Sequence, residues 1–112
     1  MKFSAPILTI LLATNILSAQ PFNTVVTPSE AQPMLLGKIN KDALSTAPFN
    51  QWFTENYNAY TPNSETIDEL RNALPAYTIT AFMGTWCGDS KREIPKLYKV
   101  LAAANFPLER LT

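Results

Sequence analysis

The sequence is poor in the residues that build metal sites and disulfide frameworks. It contains one cysteine and no histidine in 112 residues. A Cys/His zinc cluster and an internal disulfide are therefore excluded for this chain on its own, and we expect neither a metal nor a cofactor. The chain also lacks an excess of charge of either sign, because nine basic residues balance nine acidic ones. No basic surface points to nucleic acid as a partner.

The N-terminus has the features of a secretory signal peptide. Lys2 gives a positive start, residues 7–17 are mostly apolar and uncharged, and Leu17-Ser18-Ala19 ends the run in small residues. A membrane anchor is the alternative, but the run is shorter than the roughly 20 apolar residues of a spanning helix. We expect cleavage near Ala19, contact with the membrane only during export, and a periplasmic or extracellular location.

Four segments follow from composition. Residues 1–19 are the signal peptide, and residues 20–36 carry three prolines and no clear period, which predicts a linker with little order before Leu35. Residues 37–64 form an aromatic-rich helical extension, and residues 65–112 form the main domain. Within the extension, the spacing of the aromatic residues predicts a helix over Phe49–Tyr57. This aromatic stripe either packs inward or binds a peptide or sugar, and such stripes usually pack inward.

The main domain reads as helix, strand and helix. A turn and a cap candidate precede a helix from about Glu65 to Ala73, which ends before Pro75. Residues 77–83 are uncharged and rich in β-formers, as a buried central strand would be. A long helix then runs from Asp89 to about Ala104, and Leu108–Thr112 predicts the opening of a further strand. The order of elements indicates the α/β class.

The lone cysteine lies where the predicted strand passes through a short loop into the long helix. At a helix N-terminus, free backbone N–H groups and the helix dipole favour an anion, and the thiolate is the form that attacks disulfides. An inert, buried cysteine is the alternative. The junction after Trp86 is a poor place to bury Cys87, so we interpret the thiol as reactive.

Residues 86–91 read Trp-Cys-Gly-Asp-Ser-Lys and are followed by Pro95. This pattern resembles the Trp-Cys-Gly-Pro-Cys-Lys…Pro signature of the thioredoxin family, and it is most similar to exported bacterial thioredoxin-like proteins with a Trp-Cys-Gly-Asp-Ser motif. The resemblance covers roughly residues 67–112. It implies a thioredoxin-like fold of which only the N-terminal β-α part is present, preceded by short helices. The residues that it implicates are Cys87 as the attacking thiol and, in support, Trp86, Gly88, Asp89, Ser90, Lys91 and Pro95.

Two of these positions depart from the family pattern. Ser90 stands where the resolving cysteine would be, and a serine hydroxyl cannot form a disulfide. Asp89 replaces a proline, and its charge opposes a thiolate that the helix terminus and Lys91 favour, so the direction of the pKa shift stays open. Both residues are also common in the first turn of a helix for purely structural reasons.

The resemblance implies a single-cysteine (CxxS) thiol-disulfide oxidoreductase or isomerase that forms mixed disulfides with protein or small-molecule thiols. One alternative is a non-catalytic binding module that uses the surface of Trp86, Tyr57 and Tyr60. Another is a fragment that does not fold alone, because the family's cis-proline loop and remaining strands would lie beyond Thr112. The sequence names neither the substrate nor the redox direction.

Overall fold

The computed structural model describes residues 21–112, so the predicted signal peptide lies outside the described residues. These residues form a mixed α/β structure of four helices and a two-stranded sheet. Within the described range, no helix combines the length and apolarity needed to cross a lipid bilayer.

The segment expected to have little order forms an antiparallel hairpin. Strand β1 (Thr24–Val26) pairs with β2 (Met34–Leu36), with Val25 opposite Leu35. Two of the three prolines that suggested a linker, Pro28 and Pro33, lie in the connection between the strands, and the Thr-Val-Val sequence of β1 is rich in β-formers. The side chain of Asn23 also exchanges hydrogen bonds of 2.9 Å with Asn40, which ties the start of the hairpin to the first helix.

Two helices follow the hairpin. Helix α1 (Lys41–Leu44) was not predicted; Asn40 caps it by accepting the Asp42 N–H at 3.1 Å, and its Leu44 is fully buried. Helix α2 (Asn50–Ala59) confirms the predicted aromatic helix, although it begins one residue later and ends two residues later.

Helix α3 (Ser64–Ala73) confirms the helix predicted from about Glu65 to Ala73 and begins one residue earlier. Asn63 caps it by accepting the Thr66 N–H at 3.0 Å, and Ile67 is its buried residue. A 3₁₀ turn over Leu74–Ala76 ends the helix, because Pro75 cannot continue the α-helical hydrogen bonding.

The prediction of a buried central strand over residues 77–83 is wrong. The segment is extended, but it pairs on one side only, through an isolated parallel bridge between Ile79 and Leu111. The N–H of Ile79 donates to Arg110 O at 2.9 Å, and the N–H of Ala81 donates to Thr112 O at 2.7 Å. The side chain of Phe82 is 95% exposed. The composition is that of a buried strand, but no element of residues 21–112 covers its second edge and second face.

Helix α4 (Gly88–Ala103) confirms the predicted long helix. The apolar face of α4 packs against α2, where Tyr98 meets Phe53 edge to face at 5.6 Å between ring centroids. After α4, a 3₁₀ turn over Leu108–Arg110 occupies most of the predicted second strand, and the chain then pairs in parallel with the extended segment through Leu111.

The core lies between the hairpin, α1, α2 and α4. Its buried members are Leu35, Leu44, Phe49, Phe53 and Tyr98. The aromatic stripe of α2 therefore packs inward, as expected. Further buried side chains lie on α3, on the end of α4 and after it: Ile67, Leu101, Ala104 and Phe106. This core holds the start of α4, and with it the cysteine, in a defined position.

Candidate functional site

A tight turn carries the chain from the extended segment into α4. The Cys87 N–H donates to Gly84 O at 3.0 Å, which closes the turn. The ring of Trp86 lies so close to Gly84 that a Cβ there would fall 2.9 Å from Trp86 Cε2. A larger residue at position 84 would therefore displace the exposed Trp86 ring, and sequence reasoning did not single Gly84 out.

Thr85 anchors this turn to the hairpin. Its side chain is 5% exposed, and its Oγ1 accepts the Leu35 N–H at 3.2 Å across 50 residues of sequence. A buried backbone N–H without a partner is unfavourable, so this bond fixes the turn relative to β2. Thr85 holds the turn in position, and no local sequence signal indicated this role, because its partner is distant along the chain.

Cys87 is the N-cap residue of α4. Its backbone is extended, with φ −87° and ψ 124°, and its C=O accepts the Lys91 N–H at 3.0 Å. The thiol is partly exposed and unpaired. This is the position predicted from the sequence, with the sulfur beside the free N–H groups of a 16-residue helix.

The local hydrogen bonds lower the pKa of the Cys87 thiol below its ordinary value. In decreasing order, the backbone N–H of Ser90, the backbone N–H of Asp89 and the Ser90 hydroxyl favour the thiolate. Desolvation and the charge of Asp89 act against them with smaller effects. The direction that the sequence left open is therefore downward, and it comes from helix N–H groups rather than from a cation.

Ser90 has two roles in this geometry. Its Oγ accepts the Gly84 N–H at 3.1 Å, which links the turn to the first turn of α4. The Ser90 hydroxyl is also among the groups that lower the pKa of Cys87. The residue at the position of a resolving cysteine thus holds the turn in place and stabilises the thiolate.

The cation beside Asp89 is Arg92, a residue that the sequence analysis did not single out. Arg92 Nη2 lies 2.9 Å from Asp89 Oδ1, and Arg92 Nε lies 2.6 Å from Glu93 Oε1. The Arg92 bond lowers the pKa of Glu93. Across residues 21–112, the Lys91 side chain forms no ion pair or hydrogen bond, and its charge is not among the causes that lower the pKa of Cys87.

The remaining motif residues have different surroundings. Pro95 is fully buried inside α4, so it packs against the rest of the protein. Trp86 is 62% exposed beside the thiol. A Cβ at Gly88 would meet nothing within 4 Å, so no steric contact requires glycine there.

The two tyrosines proposed for a binding surface are engaged with their own protein. Tyr57 stacks on Phe53 at 6.0 Å between centroids, and the ammonium groups of Lys41 and Lys99 lie 5.2 Å and 5.3 Å from its ring. Lys96 Nζ lies 5.6 Å from the centre of the Tyr60 ring. These cation-π contacts lie within the protein, so both rings already have partners among its own side chains.

Residues 21–112 bring together no group of three or more acidic or cysteine side chains suited to hold a metal ion. The site is thus one thiol, the N–H groups and hydroxyl that surround it, an exposed tryptophan and an ion pair. Comparisons of the chain with protein-family models, with curated proteins and with solved structures found no match.

Proposed function

We propose that this protein is a thioredoxin-like thiol-disulfide exchange protein with Cys87 as its single nucleophile. The observation that carries the proposal is the position of the sulfur: partly exposed, at the N-cap of α4, with a pKa lowered by the N–H groups of Ser90 and Asp89. A lowered pKa raises the fraction of thiolate at neutral pH, and the thiolate is the reactive form.

The arrangement of elements supports the thioredoxin-like assignment. An extended segment leads through the cysteine turn into α4, and the chain returns to pair in parallel with that segment. Strand, helix and parallel strand form the unit from which α/β sheets are built. The motif of residues 86–91 lies at the junction where the resemblance expects it.

The proposed reaction is exchange by one thiol. The Cys87 thiolate attacks one sulfur of a disulfide, a bond forms between the two sulfurs, and the other half of the disulfide leaves as a thiolate. No net oxidation or reduction occurs in this step. Since Ser90 cannot attack the mixed disulfide, an external protein or small-molecule thiolate releases Cys87. The signal-peptide pattern of residues 1–19 supports the proposal that this exchange takes place outside the cytoplasm.

The test is the rate of Cys87 alkylation by iodoacetamide as a function of pH, in native buffer and in denaturant. The native profile is expected at lower pH than the denatured one. Mixing the reduced protein with glutathione disulfide is then expected to give one glutathione adduct per chain by mass spectrometry. The Cys87→Ser variant should give neither signal, and coincident native and denatured profiles would contradict the proposal.

A binding module without catalysis is the second candidate, and the exposure of Trp86 favours it. A large exposed aromatic ring is typical of contact surfaces. In that case Cys87→Ser would retain the affinity for a polypeptide partner, whereas Trp86→Ala would lose it. In the exchange protein, a stable adduct with a disulfide-bearing peptide requires the sulfur and disappears in Cys87→Ser.

A further inference from the structure

The extended segment of residues 77–83 has one edge with unpaired backbone groups. Its paired edge uses the backbone of Ile79 and Ala81, which bonds to residues 110–112 at 2.7–2.9 Å. Backbone groups of an extended chain alternate between its two edges, so the opposite edge carries those of Thr78, Thr80 and Phe82. Within residues 21–112, none of these three residues forms a backbone hydrogen bond.

The free edge has no feature that opposes a further strand. The side chains of Thr78, Thr80 and Phe82 share one face, and all three are exposed. Sheet edges are commonly protected from other chains by charged side chains or prolines. Residues 72–88 carry no charge, and their one proline, Pro75, precedes the segment in a 3₁₀ turn. The edge therefore offers hydrogen-bond donors and acceptors that a second strand can use.

We propose that this free edge pairs with the same edge of a second copy of the chain, antiparallel and about a two-fold axis at Thr80. Each copy offers the same surface to the other, so the pairing closes at a dimer. The partner is a second copy because the edge is complementary to itself, in its backbone groups, in its side chains and in its lack of charge. The dimer does not involve Cys87, so this inference goes beyond the exchange reaction and does not rest on it.

The free backbone groups select one register. With the axis at Thr80, this residue lies opposite Thr80 of the second copy, and Thr78 lies opposite Phe82. Each residue of these pairs exchanges hydrogen bonds with the one opposite. Moving the axis along the segment would bring in Ala76, which lies in the 3₁₀ turn, or Gly84, whose N–H already has an acceptor. The register centred on Thr80 is therefore the one that uses all the free groups.

The side chains favour the same register. The ring of Phe82, which is 95% exposed in the single chain, would pack beside Thr78 of the second copy. The two Thr80 side chains would be neighbours across the axis. Pairs of an aromatic with a β-branched residue, and pairs of threonines, stabilise antiparallel strands, whereas like charges in opposite positions destabilise them. The two-fold axis repeats the contact of Phe82 with Thr78, so the ring is partly covered in both copies.

The dimer is expected to be weak because it rests on one pair of short strands. An interface of this kind is smaller than those of stable complexes and is typical of transient ones. We expect a dissociation constant on the order of 100 μM. Monomers then predominate at the low micromolar concentrations of a denaturation experiment, where Phe82 remains exposed.

The first test is sedimentation velocity of the full chain from about 10 μM to about 1 mM in reducing buffer. The average mass is expected to rise with concentration towards that of a dimer. Thr80→Lys places like charges on the axis and should keep the chain monomeric. Thr54→Lys, at an exposed threonine of α2, is the matched control and should associate as the wild type does. Cys87→Ser should also associate normally, so failure of this inference is distinct from failure of the proposed function.

A charge swap tests the register. Thr80→Glu alone should be monomeric for the same reason as Thr80→Lys. An equimolar mixture of the two variants should associate at least as strongly as the wild type, because position 80 lies opposite itself in the centred register. Rescue by mixing separates pairing from misfolding, and circular dichroism verifies that each variant is folded. Association through any other surface would be the same in all variants.

Amide hydrogen exchange identifies what covers the edge. The N–H groups of Thr80 and Phe82 should exchange more slowly at about 1 mM than at about 10 μM. Equal protection at both concentrations would assign the edge to another part of the same chain, and it would overturn the inference. A wild type that stays monomeric, a Thr80→Lys variant that still dimerises, or a mixture that stays monomeric would also overturn it.

Discussion

Aromatic residues lie on both sides of the cysteine turn, but they are buried on one side and exposed on the other. On the α4 side, Phe53 and Tyr98 are buried against each other, with exposed fractions of 4% and 7%. On the other side, Tyr77 and Phe82 of the extended segment are 60% and 95% exposed. The two regions are similar in apolar character, so their difference in burial comes from the elements that pack on them. Helix α2 covers α4, whereas nothing in residues 21–112 covers the outer face of the extended segment. The Cys87 thiol lies at the boundary between these regions.

The largest expected difference between the two regions concerns their phenylalanines. Phe53→Ala opens a cavity beside Tyr98 and Tyr57 and is expected to lower the free energy of unfolding by about 3–5 kcal/mol. Phe82→Ala, the matched control, removes an exposed ring and should change it by less than about 0.5 kcal/mol. Urea denaturation followed by circular dichroism measures both. Equal losses would mean that the segment is covered in solution.

The turn between the regions depends on Thr85. Thr85→Val keeps the shape of the side chain but removes the acceptor of the buried Leu35 N–H, and an unsatisfied buried donor costs about 1–3 kcal/mol. The free energy of unfolding should fall by that amount, again from urea curves. Thr24→Val, at an exposed position of β1, is the control and should change stability little. A neutral Thr85→Val would show that water replaces the hydroxyl.

Ser90→Ala tests the link between the turn and the thiol. Loss of the bond from Gly84 N–H to Ser90 Oγ is expected to lower the free energy of unfolding by about 0.5–1.5 kcal/mol. Because the Ser90 hydroxyl favours the thiolate, its loss should raise the pKa of Cys87, so that alkylation at pH 7 slows. Ser64→Ala, at the start of α3, is the control and should leave the alkylation rate unchanged. An unchanged rate in Ser90→Ala would assign the thiolate stabilisation to the backbone N–H groups alone.

The smallest expected effect near neutral pH is the contribution of tyrosine ionisation to stability, compared between the buried Tyr98 and the exposed Tyr77. Burial, and secondarily the charge of Asp42, raise the pKa of Tyr98. The folded state therefore favours the neutral phenol, and stability is lost as the pH rises through the ordinary tyrosine pKa of about 10, where the unfolded chain begins to ionise. Urea midpoints measured from pH 7 to pH 11 should fall less in Tyr98→Phe than in the wild type. Tyr77→Phe, in the exposed segment, should follow the wild type.

The three longer helices were predictable because their signals are local, whereas the four-residue α1 was not predicted. The i, i+3, i+4 spacing of apolar residues and the turn residues ahead of Ser64 are read within a single helix, and α2, α3 and α4 appear within one or two residues of the expected bounds. The hairpin was missed because the prolines near Thr24–Val26 and Met34–Leu36 dominated the composition of that segment.

The strand prediction failed for a different reason. The composition of residues 77–83 indicates what the segment requires, namely cover on two faces and two edges, but a local pattern does not say whether cover is present. Phe82 shows the outcome most clearly, since its ring lies almost wholly in solvent.

For the candidate site, the sequence by itself determined that the chain has a single thiol and predicted that it lies at the start of a helix. A cysteine at the start of a helix, followed by serine where a second thiol would be needed, restricts the chemistry to one thiol whatever the surroundings are. The tertiary structure decided what surrounds that thiol. Thr85 meets Leu35 across 50 residues, and Gly84 receives its partner from Ser90, because folding brings these groups together. The direction of the Cys87 pKa shift was likewise decided there, since it depends on how opposing contributions balance at distances that only the folded chain defines.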